Sequence, residues 1–253
     1  MDKKIIILLE TATDSCSAAL ADGEKIVAEK YANVPKAHAT LLARFVDEIL
    51  KENKLTAADC AAVAVSEGPG SYTGLRVGAS LAKGLCYGAN LPLIGVSTLA
   101  AIAQCAMDNQ QLHKAMQGRA AIISSSADYL IVPMIDAGRM EVYTAVFNSA
   151  GEQLTKTESK ILTPDSFSKE LQGHPVLFTG NGAEKFQKML KAANESSPVV
   201  NFKNAFFSEQ LPHATGLRIQ AFKALQAQDF KDRAYFQPSY LKDFIPGKPK
   251  KLL

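Results

Sequence analysis

Cysteine and histidine are scarce, four of each in 253 residues, and that scarcity removes several kinds of chemistry. Cys16, Cys60, Cys86 and Cys105 form no C-x-x-C pair and sit in apolar or small-residue stretches. A secreted disulfide framework would be denser, so reduced, mostly buried thiols are expected. His38, His113, His174 and His213 offer neither H-E-x-x-H nor H-x-x-x-H. A zinc or iron site needs three or four ligands about 2.0–2.3 Å from one point, so no metal site is expected. Ser15, Cys16 and Ser71 have no histidine near them in sequence to complete a triad. Neither sign of charge dominates: 28 basic against 25 acidic residues leave +3, too even to announce a nucleic-acid binder, although a local basic patch stays compatible with it. No apolar run approaches the roughly 20 residues of a spanning helix. The run Ile5 to Leu9 stops at Glu10 without a small-residue cleavage site, so neither signal peptide nor membrane contact is expected, and the cytoplasm is the expected compartment.

What is present is a chain 47% apolar and 21% charged, able to bury a core and long enough for two lobes. Lys4–Glu10 reads as a strand buried on both faces, followed by strands Cys16–Ala21 and Lys25–Tyr31 around an Asp22-Gly23 hairpin. Leu41, Leu42, Phe45, Val46, Ile49 and Leu50 recur at helical spacing between Ala37 and Asn53. A strand at Ala61–Ser66 leads through a glycine loop into a helix ending near Tyr87; strand Pro92–Val96 and a helix from Thr98 follow. The opening pattern then returns: strand Tyr129–Ile135 ending at Asp136, strand Glu141–Phe147, strand Gln153–Lys160, a helix from Pro164, strand Val176–Thr179, a helix after Gly182, strand Val199–Phe202 and a helix over Ala214–Gln228. The predicted fold class is therefore α/β with two duplicated lobes, each a mixed sheet flanked by helices. Residues 1–107 form the expected N-terminal lobe, 108–128 an irregular connection or insertion, and 129–253 the C-terminal lobe with a basic tail. Two facing copies make a cleft, and the acids ending the first strands, Glu10 and Asp136, are expected to point into it.

The least usual segment is Gly68-Pro69-Gly70-Ser71-Tyr72-Thr73-Gly74, between a strand and a helix. Its glycines and the helix N-terminus make anion binding physically available, giving a nucleotide or anion site of Glu10, Thr11, Gly68, Gly70, Ser71 and Asp136. The plainer reading, a tight strand-to-helix turn, is favoured by spacing, since neither a Walker lysine nor G-x-G-x-x-G is present. The helix that follows carries Gly74, Gly78, Gly84 and Gly88 together with Ala79 and Ala82. Interior glycines each cost about 1 kcal/mol against alanine and commonly mark close approach of another backbone. The Leu41–Leu50 helix is the expected neighbour, and the pair is a candidate association surface, with packing inside one lobe as the alternative. The tail Pro246-Gly247-Lys248-Pro249-Lys250-Lys251 reads as extended and solvated, with RNA phosphate contact as the alternative.

These segments together resemble the TsaB (YeaZ) family of bacterial tRNA threonylcarbamoyladenosine synthesis. The carrying residues are Ile7-Leu-Leu-Glu10-Thr-Ala-Thr, Cys16-Ser-Ala-Ala-Leu20, His38 to Leu42, Glu67-Gly-Pro-Gly-Ser-Tyr-Thr-Gly-Leu-Arg-Val-Gly78, Ile135-Asp-Ala-Gly-Arg-Met-Glu-Val-Tyr143 and Pro238-Ser-Tyr-Leu241. The resemblance implies an actin/hexokinase-like double fold. It implies a non-catalytic scaffold that binds the catalytic paralogue TsaD and the ATPase TsaE, within the complex that transfers a threonylcarbamoyl group to the tRNA adenosine beside the anticodon. It leaves open whether tRNA is touched directly and whether the free chain is a monomer or a homodimer. It implies no cofactor for this chain, with ATP or ADP at the complex interface as an option. Pairing in the family uses the first two helices, so the expected interface is His38, Leu41, Leu42, Phe45, Gly74, Arg76, Gly78, Ala79 and Lys83, open to arginine substitution at Leu42 or Gly78 without loss of the fold. Two departures, Glu10 where aspartate is usual and Gly138 where arginine is usual, fall at expected cleft positions. The competing readings are a sugar-kinase-type phosphotransferase using the cleft and, last, a peptidase.

Overall fold

Three short strands joined by tight turns open each half of the molecule, and the computed structural model, which describes residues 4–35, 37–124, 128–196 and 203–242, turns them into two sheets of the same design. In the first, β1 (Ile5–Glu10) pairs antiparallel with β2 (Ser15–Asp22), and β2 with β3 (Lys25–Asn33). On the other side of β1 lie the parallel strands β4 (Ala62–Gly68) and β5 (Leu93–Ser97), giving the order β3-β2-β1-β4-β5. Helix α1 (His38–Glu52) joins β3 to β4, α2 (Tyr72–Gly88) joins β4 to β5, and α3 (Thr98–Asp108) and α4 (Gln110–Ser124) lead into the second half.

There β6 (Leu130–Asp136), β7 (Glu141–Thr144), the two-residue β8 (Phe147–Asn148), β9 (Glu158–Ile161), α5 (Ser168–Gly173), β10 (Val176–Thr179), α6 (Ala183–Ser196), β11 (Ala205–Ser208) and α7 (Arg218–Ala227) follow. The sheet order β9-β7-β6-β10-β11 repeats the first with the same mixture of antiparallel and parallel pairs, β8 adding a short pairing to β6. The duplicated α/β arrangement read from the sequence, two lobes each with a mixed sheet flanked by helices, is thus present in the ladders themselves.

Both faces of the first sheet are covered, which is why β1 is apolar without alternation. Ile7 and Leu9 pack with Leu42, Phe45, Ile49, Ala82 and Cys86 under α1 and α2. Ile6 and Leu8 pack on the opposite face with Leu217 and Ala221. That second covering layer comes from the far end of the chain: a 3-10 turn (Ala214–Leu217) and α7 lie on the first sheet. Conversely Leu99, Ile102, Ala103 and Ala106 of α3 pack with Tyr129, Ile131, Phe147 and Leu177 of the second sheet. Helix α7 thus covers the other half's sheet, and α3 lies between both, with Ala101 packed in the core of the first. The 1–107 and 129–253 division separates the two sheets, and the helices cross it, because short-range pattern does not say which sheet a helix covers.

Other expectations change too. The stretch 108–128, expected to be irregular, is mostly α4, whose Met116 and Ala120 are buried against α3 and the second sheet. Its polar exposed face hid the period. The third strand of the second half covers only Glu158–Ile161, and the helix from Pro164 shrinks to Ser168–Gly173. The strand at Val199–Phe202 lies outside the described residues, and the edge strand is Ala205–Ser208. The basic tail after Lys242 and part of the serine run, at 125–126, also lie outside them. Among the described residues no helix is long and apolar enough to cross a membrane.

Candidate functional site

The two acids that end β1 and β6 occupy equivalent positions in different surroundings. Glu10 is fully buried, so it does not open into a cleft as expected. Its Oε1 accepts the Ala12 amide at 2.6 Å, while Oε2 is buried without a hydrogen-bond partner among the described residues. Burial pushes its carboxyl up to about 7, against the pull of the Ala12 amide. The cover is the chain returning from the second half: Ser15 Oγ donates to Pro212 O at 3.2 Å, and the Ala214 amide donates to Ser17 Oγ at 2.8 Å. Thr11 is buried as well, with an unpartnered Oγ1 lodged over Gly78. Asp136 is exposed; its Oδ1 accepts Lys185 Nζ at 2.5 Å and the Gly138 amide at 2.7 Å.

The glycine loop is spent on the chain itself. The Ser71 amide donates to Ala12 O at 2.7 Å, and Ser71 Oγ accepts the Gly74 amide at 3.3 Å as the N-cap of α2. A Cβ at Gly70 would strike Ala12 O, and one at Gly68 would sit 2.6 Å from Ser239 O. Those glycines admit two neighbouring backbones, which is the tight-turn reading. Gly68, Gly70 and Ser71 therefore do not converge with Glu10 and Asp136 on an anion: carbonyl oxygens, which repel one, occupy the space.

The glycines of α2 split in the same way. Cβ atoms at Gly74 and Gly78 would collide with Thr11, whereas Gly84 and Gly88 face open space. The close approach inferred for this helix is therefore made by the end of β1 within the same lobe. The expected interface divides accordingly. His38, Leu42, Phe45, Gly74, Gly78 and Ala79 are buried in their own lobe. His38 is also tied down, its Nε2 donating to Thr13 O at 2.7 Å. Leu41, Arg76 and Lys83 reach the surface. A half-buried apolar row, Val77, Leu81 and Leu85, runs beside Leu41 where α1 and α2 pack side by side. The statement that Leu42 or Gly78 tolerates arginine is corrected, since both side-chain positions are inside the core.

Residues 231–242 were not anticipated at this place. They lie along α2: Lys83 Nζ donates to Ala234 O at 2.9 Å, Arg76 Nε to Tyr240 Oη at 3.2 Å, and the Ser239 amide to Glu67 O at 2.6 Å. Lys242 pairs with Glu141 of the second sheet. Pro238-Ser-Tyr-Leu241 was a sequence signal of the segment but carried no hint of where it docks. Among the described residues no group of three or more His, Cys, Asp or Glu could hold a metal ion, and the four cysteines are buried and outside any disulfide.

A family profile described as TsaD, tRNA N6-adenosine threonylcarbamoyltransferase, matches residues 25–248. A protein of Haemophilus influenzae described as tRNA threonylcarbamoyladenosine biosynthesis protein TsaB is 29% identical, over 98% of this chain and 98% of its own. The Escherichia coli protein of the same description is 41% identical over 39% of this chain and 42% of its own. The solved structure described as YeaZ from Pseudomonas aeruginosa is similar at a TM-score of 0.73 and 25% identity, covering 94% of this chain and all (100%) of that one.

Proposed function

The chain belongs to the TsaD family of tRNA N6-adenosine threonylcarbamoyltransferases, among its TsaB (YeaZ) members, and from that premise we propose that it is the non-catalytic scaffold subunit of the transferring complex. Its family places it in tRNA threonylcarbamoyladenosine biosynthesis. In the proposed role it holds a TsaD-like catalytic subunit and a TsaE-like ATPase in register. The chemistry belongs to the partner, and any ATP or ADP sits at the complex interface.

The observation that carries this reading is the fate of the would-be nucleotide site. A phosphotransferase needs amide donors turned to a phosphate and a carboxylate free to act as base. Here the Ser71 and Gly74 amides are used within the chain, and Glu10 is sealed beneath Pro212–Ala214 with a carboxyl held near neutrality. Asp136 is engaged by Lys185. What stays available is a helix pair with an apolar row, Leu41, Val77, Leu81 and Leu85, half-exposed between α1 and α2. Such a row matches the core of a protein interface.

The test is reconstitution of threonylcarbamoyl transfer to tRNA with the TsaD-like and TsaE-like partners and the adenylate-forming enzyme, with and without this chain. Activity is expected to need the chain, and the chain alone to turn over no ATP. Leu41→Arg and Leu81→Arg should weaken the complex by roughly 30-fold or more, as for hot-spot residues, with unfolding temperature as the control. Activity indifferent to the chain, or ATP turnover by the chain alone, would sink the proposal.

A further inference from the structure

Surface cations on this chain are satisfied in two different ways. Around α1 each has a carboxylate: Lys30 lies 2.7 Å from Glu52, Arg44 3.1 Å from Glu48 and Lys51 2.8 Å from Asp47. Along α2 and the segment laid against it, Lys231 and Lys242 pair with Glu67 and Glu141, but three other cations have neutral partners. Arg76 donates to the Tyr240 hydroxyl and stacks 4.1 Å from the centre of the Tyr72 ring. Lys83 donates to the Ala234 and Phe236 carbonyls. Arg233 donates at 3.1 Å to both Cys86 O and Asn90 Oδ1. Carbonyls and phenols satisfy donors but leave the positive charge standing. Of the acids nearby, Glu67 is taken by Lys231 at 3.0 Å, while Asp232, whose Oδ1 accepts the Ala234 amide at 2.7 Å, keeps its charge, so one carboxylate stands against the three cations Arg76, Lys83 and Arg233.

Aromatic rings are exposed on α2 and in or next to the segment laid against it. Tyr87 is 85% exposed, Tyr235 83% and Phe230 40%. A cavity of about 940 Å³ is lined by Lys83, Tyr87, Phe230 and Arg233, and Lys83 also borders a second of about 280 Å³ beside Arg76. Aromatic faces left in water beside uncancelled cations match a ligand that carries both flat rings and regularly spaced negative charge.

We propose that this face binds an unpaired stretch of RNA, with bases stacked on Tyr87 and Tyr235 and phosphates drawn to Arg76, Lys83 and Arg233. An acidic peptide would answer the charge but not the rings, and a duplex hides its base faces. The choice of RNA over DNA rests on the tRNA role of the family; the face itself does not depend on the scaffold reading, and the isolated full chain tests it.

The probe is a fluorescein-labelled single-stranded oligoadenylate RNA of about 12 nucleotides, followed by anisotropy against the same length of duplex. Binding to the single strand is expected to be tighter. With three phosphates neutralised, log affinity should fall with log salt at a slope of about −2. Tyr87→Ala and Tyr235→Ala should each weaken binding by roughly 5- to 100-fold, and Tyr87→Phe should restore it. Both tyrosines are so exposed that their truncation leaves the core untouched. No binding at about 50 mM salt, or equal affinity in the alanine variants, overturns the proposal. So does loss of complex formation with the TsaD-like subunit while RNA binding is unchanged, which would mark a protein interface. Reconstituted transfer is read separately and can succeed whichever way this result falls.

Discussion

The two halves share one strand order and yet treat the same position oppositely. The acid ending β1 is sealed from water, and the acid ending β6 is exposed and held by a lysine. Strand topology decides where a side chain goes; what lies over it decides what it can do. Over Glu10 lies the segment from Pro212 to Ala214, anchored on Ser15 and Ser17. At Asp136 stand Lys185, the backbone of its own turn and the Asn181 side chain, which accepts the Asp136 amide at 3.0 Å. The cores differ as well. The first sheet is packed with Ala18, Ala19, Ala62 and Ala64, so helices and returning chain come close. The second is filled by Phe167 and Phe207 around Phe178 and Phe186, at ring separations of 5.0–6.3 Å. Close approach in one lobe and ring packing in the other are two ways to fill the same architecture.

Substitutions can break or sharpen that contrast. The largest effect belongs to the tightly packed first lobe. Leu42→Arg places an unpaired charge in a core site only 1% exposed and should cost more than about 4 kcal/mol, read as loss of the cooperative unfolding transition. Survival of the fold would mean α1 is not core. Next is Glu10→Gln. Its folded carboxyl lies near 7 against an ordinary 4.5, so the protonated form is favoured by folding. That contribution is complete below pH 4.5 and is lost as pH rises through about 7. Urea denaturation of the parent chain should therefore weaken over that window by on the order of 3 kcal/mol, while the glutamine variant stays flat and is the more stable at pH above 7. Asp136→Asn should produce no such divergence, since an exposed ion pair is worth less than about 1 kcal/mol. Matching pH profiles for the two variants would erase the difference between the lobes. Between these in size stands Gly74→Ala, which drives a Cβ into Thr11 O and should cost about 1–3 kcal/mol. The smallest effect is Gly84→Ala, with open space around it: thermal unfolding should rise by the equivalent of up to about 1 kcal/mol.

The features that could be read without coordinates are those that repeat locally. Alternation, tight turns and acids at strand ends disclosed the duplicated sheets, and the amphipathic period of Leu42, Phe45 and Ile49 disclosed α1. The glycine loop packs tightly against Ala12 and Ser239 as a strand-to-helix turn would, and its spacing matches no phosphate cradle. Long-range assignments were out of reach. Nothing about Leu217 or Ala221 says they cover the first sheet. The exposed polar face of α4 concealed Met116 and Ala120. The expected interface mixed buried with exposed residues because a helix with a broad apolar face does not declare which part meets the core. Arg76 and Lys83, expected at a partner interface, reach the surface, but the segment that meets them lies more than 150 positions further on.

The crossing of helices between the halves has a mechanical meaning. With α3 seated between both sheets and α7 on the near one, prising the halves apart would strip apolar surface from both at once. A hinge that opened and shut around a ligand would have to break those contacts on every cycle. The molecule is better compared with two clasped hands than with a pair of jaws: heat should release both lobes in a single step, neither half should hold its shape when cut from the other, and the stiffness so gained is what a part serves with when its task is to keep others aligned.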